Sequence, residues 1–322
     1  MPLRKKVVVI GGGTGTYVTL IGLKKYPLDL TAVVAVTDSG GSSGKLRDEL
    51  GVLPPGDIRR ALLALSNLPL ERTNVRQLLE HRFSNGSGLK GHSFGNLLLT
   101  ALTDITGRLD LAISEAEKIF DVKGRVLPVS LNNTDLCVRL EDGTIIKGES
   151  NIDVRRVRPG LKIIDVYLDK PARVLTEVKR VITEADVVVL PPGDLYTSLL
   201  PNLLVEGVTA ALAKSRAKLV YVCNLMTKFG ETDNFKVSDF IKEVRRYLGP
   251  AGGKMKTVLV NNRIKKIPLS VLKRYKKERA FPVEIDKEAC SSLGVELRIG
   301  ALAAVGQMYR HDSDKLAKAI LS

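Results

Sequence analysis

The sequence has no tryptophan, only 5% aromatic residues, three histidines and three cysteines. The cysteines (Cys137, Cys223 and Cys290) lie far apart, which argues against a disulfide framework and against the short spacings of a zinc site. Three histidines cannot supply a histidine-rich metal centre, and so few aromatic residues give little support to a base-stacking surface for nucleic acid. We expect each cysteine to be a small buried apolar residue.

Long apolar runs are also missing. No segment approaches the roughly 20 consecutive apolar residues that a membrane helix requires, so no membrane span is expected. Met1–Lys6 is basic but continues directly into Val7–Ile10 and a run of glycines. A signal peptide would have a longer apolar stretch and a cleavage site, so the cytoplasm is the predicted location.

Acidic residues are scarce relative to basic ones, and the formal net charge is +15. Much of this excess lies in Arg263–Arg279, which holds eight lysine and arginine residues against the single acid Glu278. Such a run usually forms a solvated surface, and it would also suit an anion-attracting rim. Nucleic acid is therefore a disfavoured partner, but an interaction module built on residues 263–279 stays an alternative.

Apolar runs alternate with helical segments through most of the chain. Val7–Ile10, Thr31–Val36 and Ala185–Leu190 are rich in β-branched residues and read as buried parallel strands. This alternation predicts an α/β protein with a doubly wound, mostly parallel sheet in three α/β/α layers. We predict a single nucleotide-binding domain over residues 1–322.

The middle of the chain has a different pattern. Short alternating segments begin at Arg125 and are joined by Asn132-Asn133 and Asp142-Gly143, which are typical hairpin connections. Lys162–Leu168 adds a further segment of this kind. We therefore predict an antiparallel β insert at about residues 125–169.

A glycine-rich turn follows the first predicted strand and opens a helix. Its candidate ligand-binding residues are Gly12, Gly13, Thr14 and Gly15, because glycines let the backbone approach a phosphate at a helix N-terminus. Thr16 stands where the dinucleotide fingerprint has its third glycine, and the lysine ending of a P-loop is absent. The alternative is a purely steric turn.

A second polar loop follows the second predicted strand. Asp38 stands where doubly wound nucleotide binders often place an acid on the ribose. The Gly41, Ser42 and Ser43 that follow it offer donors for phosphate or sugar oxygens. The alternative is that Asp38 caps a turn and Ser43 begins a helix.

The tetrapeptide Pro-Pro-Gly-Asp occurs twice, at residues 54–57 and 191–194. Asp57 and Asp194 would serve as helix N-caps, which alone accounts for both copies. The second copy, however, follows a strongly apolar strand and so lies at the edge where ligands bind. This adds as candidates Gly56, Asp57, Gly193, Asp194, Tyr196 and Thr197. An acid next to a phosphate is unfavourable unless a sugar hydroxyl or a cation lies between them. Magnesium is therefore one alternative, with Asp38, Asp57 and Asp194 as its ligands.

Two further polar segments complete the candidate site. His92, Ser93 and Asn96 stand at the start of an apolar helix, where His92 is either a functional group or a packing and capping residue. Asn224 and Thr227 follow another predicted strand. No nucleophile elbow or cysteine–histidine pair indicates acyl transfer.

Together these loops resemble the gluconeogenesis-factor family, whose members bind uridine-diphosphate sugars and are related to the 2-phospho-L-lactate transferases. The similarity extends over nearly the full length. Its most specific segments are residues 38–44, 55–59 and 92–96, and residues 121–128, 195–198, 223–227 and 230–232 also fit.

The resemblance implies a cytoplasmic three-layer α/β protein that binds a nucleotide-sugar such as UDP-N-acetylglucosamine. It also implies a role linking carbon metabolism to cell-wall (peptidoglycan) synthesis and cell shape, with no established catalytic reaction. Tyr275 and Arg310 become candidates for the sugar, the base or the diphosphate. Ser39 departs from the family's second acid, and Pro191 and Asp194 depart from its Gly-Pro-Gly-Ser loop.

Two functions from different classes thus compete. A regulatory nucleotide-sugar-binding protein needs no cofactor, whereas a phospholactate-type transferase would position its substrate with a metal. An NAD-dependent dehydrogenase is less well supported because no hydride-site base is evident. A homodimer and a cell-wall synthesis protein are left open as partners.

Overall fold

The computed structural model describes residues 4–68, 73–155, 157–158, 160–262, 267–306 and 308–322. Residues 263–266 of the basic stretch lie outside the described residues. The strands found among the described residues are β1 (Lys5–Ile10), β2 (Leu28–Val34), β3 (Arg125–Pro128), β4 (Leu136–Leu140), β5 (Ile145–Lys147), β6 (Ile163–Leu168), β7 (Val187–Leu190), β8 (Lys218–Val222), β9 (Met255–Asn261), β10 (Glu296–Gly300), β11 (Ala303–Val305) and β12 (Tyr309–His311).

The α-helices alternate with these strands. They are α1 (Gly13–Leu23), α2 (Gly41–Leu50), α3 (Gly56–Leu65), α4 (Thr73–Glu80), α5 (Phe94–Thr106), α6 (Leu109–Ile119), α7 (Glu149–Asp153), α8 (Thr176–Glu184), α9 (Leu200–Leu203), α10 (Val208–Lys214), α11 (Val237–Leu248), α12 (Leu269–Lys277), α13 (Lys287–Ser292) and α14 (Ser313–Leu321). Within the described part of the chain, every helix is too short or too polar to serve as a membrane span.

A seven-stranded sheet lies at the centre of the molecule, in the order β10-β9-β8-β7-β1-β2-β3. All of its neighbouring strands pair in parallel. Alternate residues of β1 enter two separate cores: Val8 and Ile10 face one, and Val7 and Val9 face the other. The sheet is thus covered by helices on both faces, and the predicted doubly wound α/β fold is confirmed.

The direction of chain progress reverses beside β1. From β1 the chain adds β2 and β3 on one side, then returns to add β7 through β10 on the other side. Ligands of doubly wound proteins bind outside the carboxyl ends of the strands at such a switch point. This topology places the loops after β1 and β7 next to each other.

The beginning of the predicted insert requires a correction. Arg125–Pro128 is not antiparallel: it forms β3 and pairs in parallel with β2, as the edge strand of the main sheet. The small antiparallel sheet contains only β5, β4 and β6, in that order. The short helix α7 follows β5 and connects this sheet to the switch-point side of the molecule.

Candidate functional site

A cavity of about 640 Å³ lies at the carboxyl ends of the central strands. The first residues of α1, α2 and α3 line it, so the positive ends of three helices face one space. Its volume falls in the range of small-molecule sites. Backbone N–H groups and helix dipoles of this kind favour a negatively charged ligand.

Asp57 connects the first turns of α1 and α3. Its carboxylate accepts a hydrogen bond from the Gly13 backbone N–H at 3.0 Å and forms an ion pair with Arg60 at 3.3 Å. A Cβ atom on Gly12 would lie 2.1 Å from the Asp57 Oδ2 atom, so any side chain there would displace this carboxylate. Burial, together with the charge of Asp38, raises the Asp57 pKa against the opposing effect of Arg60. The alternative interpretation as N-caps does not account for these side chains: Asp57 lies inside the first turn of α3, and Asp194 precedes its helix without a capping hydrogen bond from its side chain.

The loops after β1 and β7 pack against each other at the switch point. A Cβ atom on Gly15 would lie 1.7 Å from the Pro192 carbonyl oxygen, and one on Gly11 would lie 2.7 Å from the Pro191 ring. The glycine of the dinucleotide fingerprint in place of Thr16 would remove a hydrogen bond, because the Thr16 hydroxyl donates to the Gly12 carbonyl. The steric and the ligand-binding interpretations of these glycines are therefore compatible.

The loop after β2 is held by a buried polar network. Ser42 Oγ lies 3.2 Å from His92 Nδ1 and accepts from the Ser93 backbone N–H. Asn96 Nδ2 donates to Ser43 Oγ at 3.3 Å, and Ser93 caps α5 by accepting from the Asn96 backbone N–H. Ser42, Ser43 and Asn96 line the large cavity, whereas His92 and Ser93 lie behind its wall and position the others.

The insert closes one side of the large cavity through α7. Glu149 and Asp153 line the cavity there, opposite Asp38. Burial and the charges of Asp38 and Asp153 raise the Glu149 pKa to about 8, so its carboxyl holds a proton at neutral pH. Ser39 packs on the same element, with its Oγ 3.2 Å from Ser150 Oγ.

Three carboxylates converge on Lys228 between the large cavity and its neighbour. Lys228 Nζ lies 2.8 Å from Asp194 and 3.0 Å from Glu231, and it also contacts Asp153. Asp153, Asp194 and Glu231 are close enough to share one metal ion, but the Lys228 ammonium group already contacts all three carboxylates. The three carboxylates raise the Lys228 pKa against the effect of burial.

The metal ligands suggested by the sequence are arranged differently. Asp194 pairs with Lys228, while Asp38 and Asp57 lie on either side of Gly56 at the start of α3. In the described part of the chain, these three acids do not form one group with metal-ligand spacing. The carboxylates of Asp38 and Asp57 fit a magnesium ion only if further ligands come from a bound phosphate.

Two smaller cavities adjoin the large one. A cavity of about 190 Å³ is lined by Thr14, Gly15 and Gly193 on one side and by Asn224, Tyr275 and Arg310 on the other. A cavity of about 540 Å³ contains Thr227, Lys228, Phe229 and Tyr275. Tyr275 is buried and donates its hydroxyl to the Tyr309 carbonyl at 3.0 Å, whereas its basic neighbours on α12 are exposed.

Most candidate residues from the sequence lie around these three cavities. The large cavity is lined by Gly13, Thr14, Gly15, Asp38, Gly41, Ser42, Ser43, Gly56, Asp57, Asn96, Gly193, Asp194 and Thr197. The two neighbouring cavities add Asn224, Thr227, Tyr275 and Arg310. Four candidates are not in the linings. Gly12 packs on Asp57, Tyr196 is buried with its hydroxyl on Glu243, and His92 and Ser93 support the wall.

Sequence reasoning missed the charged residues that complete the site. Arg59, Arg60 and Arg82 line the large cavity, and Glu149 and Asp153 enter it from the insert. Arg59 and Arg60, which follow the first Pro-Pro-Gly-Asp after Ile58, were a usable signal, since the dipole of a helix does not favour cations near its N-terminus. Nothing local marks Arg82 or α7, because their approach depends on the packing of distant segments.

Comparison with known proteins places the whole chain in one family. The sequence profile described as 2-phospho-L-lactate transferase CofD matches residues 7–303. The gluconeogenesis factor of Halalkalibacterium halodurans is 45% identical over 321 residues, which span 99% of this chain and 96% of the relative. The putative gluconeogenesis factor of Thermotoga maritima is 47% identical over 320 residues, 98% of each chain. The gluconeogenesis factor of Bacillus subtilis is 42% identical over 325 residues, covering 100% of this chain and 98% of the relative.

Solved structures agree with the sequence comparison. A crystal structure of a UPF0052 family member from Bacillus halodurans superimposes with a TM-score of 0.92 at 44% identity. The match covers 99% of this chain and 100% of the other. The chain therefore belongs to the CofD family, and its full-length relatives are named gluconeogenesis factors.

Proposed function

We propose that this protein is a regulatory binder of a nucleotide-sugar, with UDP-N-acetylglucosamine as the preferred ligand. One observation carries the proposal: Thr14, Gly15, Gly193 and Asp194 line both the large and the small cavity. A diphosphate seated over these residues would meet the N-terminus of α1 and extend one end of the ligand into each cavity. This is the shape that two groups joined by a diphosphate require.

The small cavity suits the nucleoside end. Tyr275 offers an aromatic wall, Asn224 offers an amide, and the exposed Arg310 forms no ion pair with any described carboxylate. An arginine in this position can donate two hydrogen bonds to phosphate oxygens. The large cavity suits the sugar, since Asp38, Asp194 and Thr197 offer acceptors for its hydroxyl groups.

The cellular part of the proposal rests on the relatives. Their name, gluconeogenesis factor, supports a link between carbon metabolism and the ligand, which in turn would connect metabolism to cell-wall synthesis and cell shape. In this role the protein acts in the cytoplasm and needs no cofactor. Ligand occupancy, rather than turnover, carries the signal.

A phospholactate-type transferase is the second candidate. The family description and the neighbouring Asp38 and Asp57 carboxylates favour it, because metal-held phosphates are a common basis of group transfer. Incubation with guanosine-diphospho-lactate, a deazaflavin acceptor and magnesium tests it. Product would establish the transferase, whereas bound nucleotide without product supports the regulatory function.

Thermal unfolding with added nucleotides tests the leading proposal. At a hundredfold excess over its dissociation constant, a ligand stabilises the native state by about 2.7 kcal/mol. We expect UDP-N-acetylglucosamine to raise the melting temperature at submillimolar concentration, and to do so more than UDP, GDP or NAD. The absence of a shift with every uridine nucleotide would refute the proposal.

A further inference from the structure

Arg59 is a half-buried cation without an acidic partner. Its NH1 group donates to the Leu79 carbonyl at 3.1 Å, but its Nε is buried and has no hydrogen-bond partner among the described residues. No described carboxylate forms an ion pair with it, although the side chain lines the large cavity. Burial and the charges of Arg60 and Arg82 lower its pKa against the opposing charges of Glu80 and Asp38.

The position of Arg59 makes this lack of a partner costly. It stands close to the N-terminus of α3, where the helix dipole repels cations. Gly95 leaves the room for it: a Cβ atom there would lie 2.7 Å from Arg59 Cδ. A fold that desolvates a cation and holds it near other cations, while the acids Asp38 and Glu80 act on it only from beyond ion-pair distance, is stabilised when an anion binds.

Two more cations approach the same side of the cavity. Arg82 lines the cavity and donates to the Gly91 carbonyl at 2.5 Å. Lys45 Nζ lies 3.9 Å from the Cβ position of Gly91, which brings it near Arg82. Neither forms an ion pair with a described carboxylate, so both charges are available to a ligand.

Asn96 supplies an independent sign of a ligand at this wall. The residue is 3% exposed and lines the large cavity, yet its side-chain oxygen has no partner in the described structure. Its nitrogen bonds to Ser43 Oγ, which can donate as well as accept. A half-turn of the amide therefore keeps the Ser43 contact and turns the NH2 group to the position of the unpartnered oxygen.

We propose that Arg59, Arg82 and Asn96, with Lys45 near Arg82 but outside the lining, form a second anion subsite that takes a phosphate monoester. This subsite is separate from the glycine loop at Gly12–Gly15, to which we assign the diphosphate. Two or three cations without carboxylate partners match the double negative charge of a phosphate monoester better than they match the single charge of a carboxylate ligand. The protein would thus read a phosphorylated metabolite together with the nucleotide-sugar, and the subsite stands whether or not the nucleotide proposal holds.

Calorimetric titration of the full-length protein with inorganic phosphate tests the subsite, with and without saturating UDP-N-acetylglucosamine. We expect phosphate to bind in both conditions, and Arg82→Gln and Arg59→Lys to weaken it at least tenfold. The same variants should weaken nucleotide binding by a smaller factor than they weaken phosphate binding. Arg82 is exposed, so its variant folds even if Arg59→Lys does not.

The controls separate the subsite from the nucleotide site. Arg173→Gln, at a side chain that is 87% exposed and outside the cavity linings, should bind phosphate like the wild type. Absence of phosphate binding, or wild-type binding by Arg82→Gln, would overturn the subsite. Competition between phosphate and nucleotide would show that the two ligands share one site. Tighter binding of succinate than of phosphate, with the same dependence on the arginines, would show that the subsite prefers a carboxylate. A failure of nucleotide binding alone would refute only the nucleotide proposal.

Discussion

Glu149 is the residue whose protonation depends most directly on the assembled site. It belongs to α7 of the insert, but Asp38 and Asp57 of the main domain contribute to its raised pKa. None of this is visible in its sequence neighbourhood. The acids around the large cavity therefore repel one another in the ligand-free protein, and a bound sugar hydroxyl or cation would relieve that repulsion.

We predict that Glu149→Gln changes the pH dependence of stability. The folded protein keeps a proton on Glu149 up to a pKa of about 8, whereas the unfolded chain releases it near the ordinary value of 4.5. Because the folded state then binds more protons, wild-type stability falls as pH rises between these two values. The variant should be more stable than the wild type at pH 9, by on the order of 1 kcal/mol.

Urea unfolding of the ligand-free protein at pH 5, 7 and 9 measures this difference. The advantage of the variant should shrink towards pH 5, which is close to the pKa at which the unfolded chain also takes up the proton. Glu206→Gln, at a side chain that is 62% exposed, should show no such trend. An equal advantage of Glu149→Gln at all three pH values would contradict the account.

At the scale of elements, sequence patterns predicted the positions of strands and helices well wherever one face or one run was clearly apolar. β1 contains the apolar run Val7–Ile10, and β7 lies within the run Ala185–Leu190. β3 was assigned to the insert because a four-residue strand carries no mark of parallel or antiparallel pairing. β10 was missed because this edge strand, with Glu296 and Arg298, is not a continuous apolar run.

The contact between the loops after β1 and β7 makes a prediction about Gly15. In Gly15→Ala the new methyl group would overlap the Pro192 carbonyl, and neither backbone segment can move without disturbing the switch point. We expect a loss of about 2 kcal/mol in the free energy of unfolding, within the range for overpacked sites. Gly88→Ala is the matched control, since a Cβ atom there meets open space.

Chemical denaturation of both glycine variants decides the point. Gly88→Ala should stay within about 0.5 kcal/mol of the wild type. Equal stability of Gly15→Ala and Gly88→Ala would show that the two loops do not pack as described. The candidate site would then lack the rigid support on which its geometry depends.

In the whole molecule, the loops at the carboxyl ends of the parallel strands and the helix α7 of the insert meet at one edge of the central sheet. The glycine and serine loops could be placed there from the sequence, because parallel strands end on the same side of a sheet. Arg82, Glu149 and Lys228 could not, because their positions depend on how α4, α7 and the loop after β8 fold back over that edge. The role of each candidate residue in ligand binding stays a prediction.

The central claim is that the edge binds a nucleotide-sugar across the large and small cavities. Calorimetric titration of UDP-N-acetylglucosamine into the wild type and Arg310→Gln, with Arg173→Gln as the control, tests it most directly. We predict one site per chain with submillimolar affinity, weakened about tenfold by loss of the Arg310 charge and unchanged in the control. Absence of binding by the wild type, or equal affinity in all three proteins, would contradict the account.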